Sequence, residues 1–133
     1  MVNLVSGLSK HIYGKYGSGL NVALIASYAF DASVQQIFAA LLGGHTLFIV
    51  PYEVKMDTEK LISFYRDNSI DISDGTPAHV KILAYGEIAD NKRLGIKHFI
   101  IGGEALHCKT VKELYERFAE DSFEITNVYG LTE

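Results

Sequence analysis

The sequence carries its polar and chemically versatile residues in short groups that follow apolar runs. The last group, NVYGLTE at 127–133, combines an aromatic ring, a hydroxyl and a carboxylate, which are residue types suited to a ligand site. The other groups are FDAS at 30–33, DGTPAH at 74–79 and GGE at 102–104. Each group taken alone is also an ordinary helix cap or turn. Together they indicate one binding edge, provided that the fold places them side by side.

Three other kinds of site fit the sequence less well. The stretch GKYGSG at 14–19 does not match the phosphate-loop pattern G-x-x-x-x-G-K-[ST], and it follows a helical pattern instead of a strand. The five histidines lack the spacing of metal ligands. Cys108 could serve as a nucleophile, but the sequence offers no identifiable residue to orient it.

Composition narrows the class of protein. The chain has 133 residues, enough for one domain or part of one, and 48% of them are hydrophobic. A net charge of −4 argues against a nucleic-acid partner, which normally requires a basic patch. The single cysteine fits a reducing compartment, and the sequence shows neither a signal peptide nor the roughly 20 apolar residues of a membrane span. We therefore expect a cytoplasmic protein that binds neither nucleic acid nor membrane.

Helical and strand periodicities alternate along the chain. They predict helices at 2–16, 32–42, 57–68, 76–84 and 109–119, and strands at 22–30, 46–50, 70–73, 97–103 and 123–129. Asp31 or Ser33 is the predicted N-cap of the second helix, and Thr76 precedes Pro77 at the start of the fourth. This order predicts an α/β fold with a largely parallel sheet of about five strands and helices on both faces. Ligands bind beyond the carboxyl ends of such strands, where four polar groups lie.

Three segments match a known family. YAFDASVQQIFAALLGG (28–44), FIIGGEAL (99–106) and NVYGLTE (127–133) resemble, in order and approximate spacing, motifs of the adenylation domains of nonribosomal peptide synthetases. These domains belong to the AMP-forming acyl and aminoacyl adenylate superfamily. The resemblance covers essentially the whole chain and implies a partial subdomain of the adenylate-forming fold. It also implies an ATP-dependent ligase that makes aminoacyl-AMP and loads the amino acid onto the phosphopantetheine arm of a carrier protein.

The resemblance implies a nucleotide site. Gly102, Gly103 and Glu104 would form a flat backbone shelf under the adenine, because glycine lets a backbone approach a ligand closely. Tyr129 would cover the other face of the ring, and Asn127 would meet its edge.

The resemblance also implies residues for phosphate, metal and amino acid. Thr132 would bond the α-phosphate and Glu133 would ligate Mg²⁺, which makes them the implied catalytic residues. Asp31 would pair with the α-ammonium group of the amino acid. The implied pocket for the amino acid is formed by Asp31, Ala32, Gln35, Ala78, Ile100, Gly102 and Val128. The amide of Gln35 and the small neighbours favour a polar, uncharged side chain such as that of glutamine.

The family's phosphate loop, ribose-binding Asp and small C-terminal domain with its catalytic Lys do not occur within the 133 residues. We therefore expect residues 1–133 to be a fragment of the large N-terminal part of an adenylation domain, inactive in isolation. Its partners would be the peptidyl carrier and condensation domains of the parent synthetase. Leu131 also departs from the family, which usually has Pro there.

Three alternatives remain open. One is a binding or signalling module with a flavodoxin-like α/β sheet, which accounts for the element order but not for three motifs in sequence. Another is a small nucleotide-binding protein that has the adenine shelf but no catalytic activity. The third is an acyl-CoA synthetase, which shares the fold. Asp31 argues against the third, because a fatty or aryl acid has no ammonium group to pair with it.

Overall fold

The computed structural model describes residues 2–89 and 93–129. The helices in these ranges are α1 (Val2–His11), a 3₁₀ turn (Tyr13–Lys15), α2 (Asp31–Leu42), α3 (Tyr52–Lys55), α4 (Thr58–Asp67), α5 (Pro77–Tyr85) and α6 (Cys108–Arg117). The strands are β1 (Asn21–Leu24), β2 (Thr46–Ile49), β3 (Ile72–Gly75), β4 (His98–Gly102) and β5 (Glu124–Val128). The predicted alternation of helices and strands is confirmed.

The five strands form one parallel sheet in the order β2-β1-β3-β4-β5. The chain moves outward from β1 to β2 and then crosses to the other side of β1 to form β3. The chain thus reverses direction across the sheet between β1 and β3. In open parallel sheets the crevice at this reversal, beyond the carboxyl ends of the strands, is the usual place for a ligand.

Helices cover both faces of the sheet, as predicted. The core on the α1 and α2 side contains Leu8, Ile12, Val22, Ala39, Ala40, Ile72 and Ile100. The core on the α4, α5 and α6 side contains Leu61, Ile62, Tyr65, Val80, Leu83, Phe99, Ile101 and Leu114. Full burial of one such Leu, Ile or Phe side chain stabilises the fold by about 1.5–3 kcal/mol. Strands β1 and β4 read as apolar runs because both of their faces are buried, whereas the edge strands β2 and β5 are partly exposed.

The first strand is shorter than predicted and the start of α2 differs. β1 ends at Leu24, whereas the apolar run continues to Phe30, because the chain turns away from the sheet after Ile25. The N-cap of α2 is Phe30, so the prediction of Asp31 or Ser33 at this position is wrong. Ser33 lies in the first turn, where its hydroxyl donates to the Phe30 carbonyl at 2.7 Å.

The third strand begins two residues later than predicted. Ser69 has a φ of +48°, and the Ile70 N–H is bonded to the Tyr65 carbonyl at the end of α4. Asp74 was expected after the strand but lies within it. The predicted start of α5 is confirmed, with Thr76 as N-cap and Pro77 in the first turn.

Candidate functional site

The polar groups that follow the apolar runs meet at the carboxyl edge of the sheet. Asp31 is the first residue of α2, which follows β1, and Ala78 is the second residue of α5, which follows β3. Gly103 and Tyr129 directly follow β4 and β5. The expectation that these groups share one edge is therefore confirmed for the described residues.

Three predicted pocket residues lie on the sheet face that α2 covers. Ile100 is buried in the core beneath α1 and α2, and Val128 packs against the same core. Gly102 pairs with Val128 in the sheet register. A Cβ on Gly102 would lie 2.6 Å from Val128 Cγ2 and 3.0 Å from the Val128 carbonyl oxygen. Gly102 therefore lets β4 and β5 approach closely at this edge.

The predicted adenine shelf is an open surface next to these strands. Gly103 has a φ of +92°, and a Cβ placed on it would meet nothing closer than Thr76 Cγ2 at 3.8 Å. Glu104 is exposed, and the side chain of Tyr129 is 90% exposed. An exposed glycine beside an exposed aromatic ring leaves room for a flat ligand.

Asn127 lies on the opposite face of β5 from Val128, because successive side chains of a strand alternate between faces. It borders a mainly apolar groove of about 750 Å³ between α6 and β5. The groove is lined by Leu106, Cys108, Val111, Lys112, Tyr115, Glu116, Ala119 and Asn127. The predicted pocket residues of β4 and β5 and the predicted adenine-edge residue thus face different sides of the sheet.

Helix α2 contributes two neighbouring amides with different surroundings. Gln35, the predicted pocket residue, is half-buried, and Ala32 is exposed. Gln36 is fully buried, accepts a hydrogen bond from the Tyr13 hydroxyl at 3.3 Å and donates to the Ala23 carbonyl at 3.5 Å. Gln36 therefore connects α2 to β1.

Asp74 is a buried carboxylate that belongs to the polar group at 74–79 but to which the sequence pattern assigned no role of its own in the site. It is 4% exposed, and its oxygens accept hydrogen bonds from the Ile25 N–H at 2.6 Å and the Ala26 N–H at 3.3 Å. Burial raises the pKa of Asp74 to about 6, although these two hydrogen bonds and the charge of Lys55 oppose the increase. The signal in the sequence was an acid at the end of the run IDISD, where an apolar residue would be ordinary for a buried strand.

The predicted catalytic and metal residues, Thr132 and Glu133, lie outside the described residues. Within the described ranges, no group of three His, Cys, Asp or Glu side chains could hold a metal ion. None of the helices in the same ranges is long and apolar enough to cross a membrane.

Comparison with known proteins identifies close relatives in sequence. A family profile described as "AMP-binding enzyme" matches residues 1–133. Bacitracin synthase 1 of Bacillus licheniformis is 50% identical over 131 residues, which are 98% of this chain and 2% of that protein. Surfactin synthase subunit 1 of Bacillus subtilis (strain 168) is 44% identical over 133 residues, 98% of this chain and 4% of that protein. The chain thus spans a small part of the length of these relatives.

Solved structures with the same fold include an adenylation domain. The Vibrio cholerae adenylation domain AlmE, in complex with glycyl-adenosine-5'-phosphate, matches 96% of this chain with a TM-score of 0.78 and 19% identity. CmiS6 matches 97% of the chain with a TM-score of 0.83 and 24% identity. The chain covers 23% and 30% of those two structures. These matches confirm the predicted adenylate-forming fold.

Proposed function

The chain belongs to the AMP-binding enzyme family, and on that premise we propose that residues 1–133 hold the amino acid and the adenine in an amino-acid-adenylating ligase. We place these residues in the large N-terminal part of its adenylation domain. In the reaction, a carboxylate oxygen of the amino acid attacks the α-phosphorus of ATP, and pyrophosphate leaves with the electrons of the broken P–O bond. The product, aminoacyl-AMP, is then attacked by the thiol of a phosphopantetheine arm on a carrier protein, and AMP leaves.

One observation carries the amino-acid part of the proposal. The start of α2, where Asp31 stands, follows β1 at the reversal of strand order between β1 and β3. The face that α2 covers also contains Ile100 and Val128, next to the side-chain-free backbone of Gly102. A carboxylate that bonds an α-ammonium group at this position would leave the substrate side chain near those small and apolar residues.

The identity of the amino-acid substrate would be determined by the side chains at the same edge of the sheet. Ala32 and Gly102 add little volume, and the half-buried Gln35 supplies an amide that donates and accepts hydrogen bonds. These properties favour a polar, uncharged substrate side chain such as that of glutamine.

The nucleotide-binding part of the proposal depends on the exposed backbone surface at Gly103. The backbone at Gly103 is exposed and in a conformation that favours glycine, which fits a ligand lying flat against it. Tyr129 provides an aromatic face, and stacking a base on such a ring is worth about 1–3 kcal/mol. We assign the α-phosphate to Thr132 and Mg²⁺ to Glu133, where the metal would neutralise phosphate charge.

Other parts of a synthetase complete the reaction. The sequence contains no match to a glycine-rich phosphate loop, so we expect residues 1–133 to bind ligands without catalysing adenylation alone. The carrier and condensation domains of a synthetase would be the partners of such a domain.

The test is a chimera in which residues 1–133 replace the matching residues of bacitracin synthase 1. Exchange of ATP with labelled pyrophosphate is measured with each common amino acid. We expect exchange with at least one amino acid, glutamine first. Asp31→Ala should raise the KM for that amino acid about 30-fold or more, since removing one partner of a hydrogen-bonded charge pair costs about 2 kcal/mol or more.

The matched control is Asp67→Ala, which removes an exposed carboxylate at the end of α4. This variant should exchange as the parent chimera does. A folded chimera that binds AMP but shows no exchange with any amino acid would instead support a nucleotide-binding module without catalysis. Exchange that depends on fatty or aryl acids would support an acyl-CoA synthetase.

A further inference from the structure

Strands β1 and β3 separate just before the candidate site. Their ladder contains the pairs Val22 with Ile72 and Ala23 with Ser73, whereas β3 stays paired with β4 through Gly75. The side chain of Asp74 spans the opening and accepts the Ile25 N–H at 2.6 Å. A buried carboxylate therefore takes the place of a strand partner where β1 ends.

A second side chain reaches the same point from the other side of β1. Lys55, the last residue of α3, donates from its ammonium group to the Ile25 carbonyl oxygen at 3.1 Å. The same ammonium lies 5.6 Å from the ring centre of Tyr52. The Ile25 carbonyl belongs to the same peptide group as the Ala26 N–H, which donates to Asp74 at 3.3 Å. We call the contacts of Lys55 and Asp74 with this peptide group the Lys55–Asp74 bridge.

The bridge holds the start of the loop that leads to α2. Ala26 to Phe30 connect it to Asp31, and the side chains of Tyr28 and Phe30 are 87% and 68% exposed. Few apolar contacts therefore fix this loop. Its own hydrogen bonds are local: the Phe30 N–H donates to the Ser27 carbonyl, and the Ser33 N–H and hydroxyl both donate to the Phe30 carbonyl.

We propose that Lys55 and Asp74 are positioning residues for amino-acid recognition. By holding the peptide group between Ile25 and Ala26, they fix where the loop leaves the sheet and hence where Asp31 begins α2. The inference rests on the proposed function, in which Asp31 pairs with the α-ammonium group. Neither side chain needs to touch the substrate for this role.

The amino end of the same strand pair provides a matched control. Asp71 accepts the Asn21 N–H at 2.9 Å and pairs with Lys97 at 2.7 Å. Asp71 therefore contacts the backbone of β1 and Lys97 contacts Asp71, but at the edge of the sheet opposite the candidate site. Asp71→Asn and Lys97→Met are the counterparts of Asp74→Asn and Lys55→Met.

The first measurement is amide hydrogen exchange on the 133-residue chain. Asp74→Asn should speed exchange of the Ile25 and Ala26 amides about ten- to a hundredfold, because each loses a charged acceptor. Lys55→Met should speed exchange at Ala26 and along 26–30. Asp71→Asn should affect Asn21 and leave 25–30 unchanged. Unchanged exchange at Ile25 and Ala26 in both Asp74→Asn and Lys55→Met would overturn the bridge itself.

The second measurement uses pyrophosphate exchange in the chimera with bacitracin synthase 1. Asp74→Asn and Lys55→Met should raise the KM for the amino acid about tenfold and leave the KM for ATP unchanged. The increase should shrink when the substrate is the corresponding acid without its α-amino group, and Lys55→Arg should restore much of the affinity. Asp71→Asn and Lys97→Met should behave as the parent chimera.

The outcomes separate the two proposals. If the parent chimera shows pyrophosphate exchange with no amino acid, the proposed function is overturned. Amide hydrogen exchange on the 133-residue chain still tests the Lys55–Asp74 bridge in that case. The positioning role is overturned if the parent chimera catalyses pyrophosphate exchange but the variants leave the KM for the amino acid unchanged. It is also overturned if the variants change the KM for the amino acid, the KM for ATP and kcat together. If Asp74→Asn does not fold, Lys55→Met carries the same test.

Discussion

Replacing Gly103 by alanine tests whether the backbone after β4 is a shelf for adenine. The φ of Gly103 is +92°, a value that L-residues rarely adopt, and such strain costs about 1–3 kcal/mol. The added methyl group would meet nothing closer than Thr76 Cγ2 at 3.8 Å, so steric overlap adds little. For a chain of this size, that loss lowers Tm by about 4–10 °C.

Gly17 offers a matched control for the backbone strain. Its φ is +96°, and a Cβ placed on it would have no heavy atom within 4 Å. It lies between the 3₁₀ turn and β1, at the amino end of that strand. Gly17→Ala should therefore lower Tm by nearly the same amount as Gly103→Ala, without changing the candidate site.

The two variants should differ in nucleotide binding. AMP is titrated into each variant and the parent chain, and the amide signals of Gly103 and Tyr129 are followed by NMR. A methyl group on the shelf would hold the base away from the backbone, and we expect AMP affinity to fall about tenfold, or ~1.4 kcal/mol. Gly17→Ala should bind as the parent does.

Two results would refute the reasoning. Parent-like AMP affinity in Gly103→Ala, with the same loss of Tm as Gly17→Ala, would mean that adenine does not lie on this backbone. An unchanged Tm in Gly103→Ala alone would mean that the local backbone conformation differs from the one described.

Three further predictions concern the same sheet. Gly102→Ala places a Cβ 2.6 Å from Val128 Cγ2, so the free energy of unfolding of this variant in urea should fall by about 1–3 kcal/mol. Gly7→Ala, in open space within α1, should instead raise the free energy of unfolding by about 0.5–1 kcal/mol. Equal effects of the two substitutions would contradict the close packing of Gly102 against Val128. Tyr129→Ala should weaken AMP binding about 5- to 150-fold in the same titration, yet leave the unfolding midpoint unchanged, because the ring is 90% exposed. Burial lowers the pKa of His98 below its ordinary value of 6.5, so its contribution to stability is present above pH 6.5 and is lost as pH falls through the folded-state pKa. His98→Gln should therefore lose less stability than the parent between about pH 7 and 5 in urea titrations, and parallel pH curves would contradict this.

Local sequence patterns were sufficient for the alternation of strands and helices, except for the short helix α3, and for the edge that carries the candidate site. The apolar runs mark the positions of β1, β2, β4 and β5, and proline and glycine mark where β2 and β4 end. Because all crossovers between parallel strands return the chain to the same end of the sheet, the residues after the strands meet there. The start of α5 was also local information, since Thr76 and Pro77 are favourable at a helix start.

The sequence could not determine where β1 ends or what holds that end. The apolar run through Phe30 looks like strand, but Asp74 and Lys55 take up the N–H and carbonyl groups of Ile25 from distant parts of the chain. The hydrogen bonds of Gln36 could not be determined from the sequence either, because its partners Tyr13 and Ala23 are remote in sequence. Residue type and spacing determined that this chain would form a parallel sheet with polar groups at one edge. Which buried polar side chain reaches which backbone group was decided only by the tertiary structure, because those hydrogen bonds exist only after the sheet has formed.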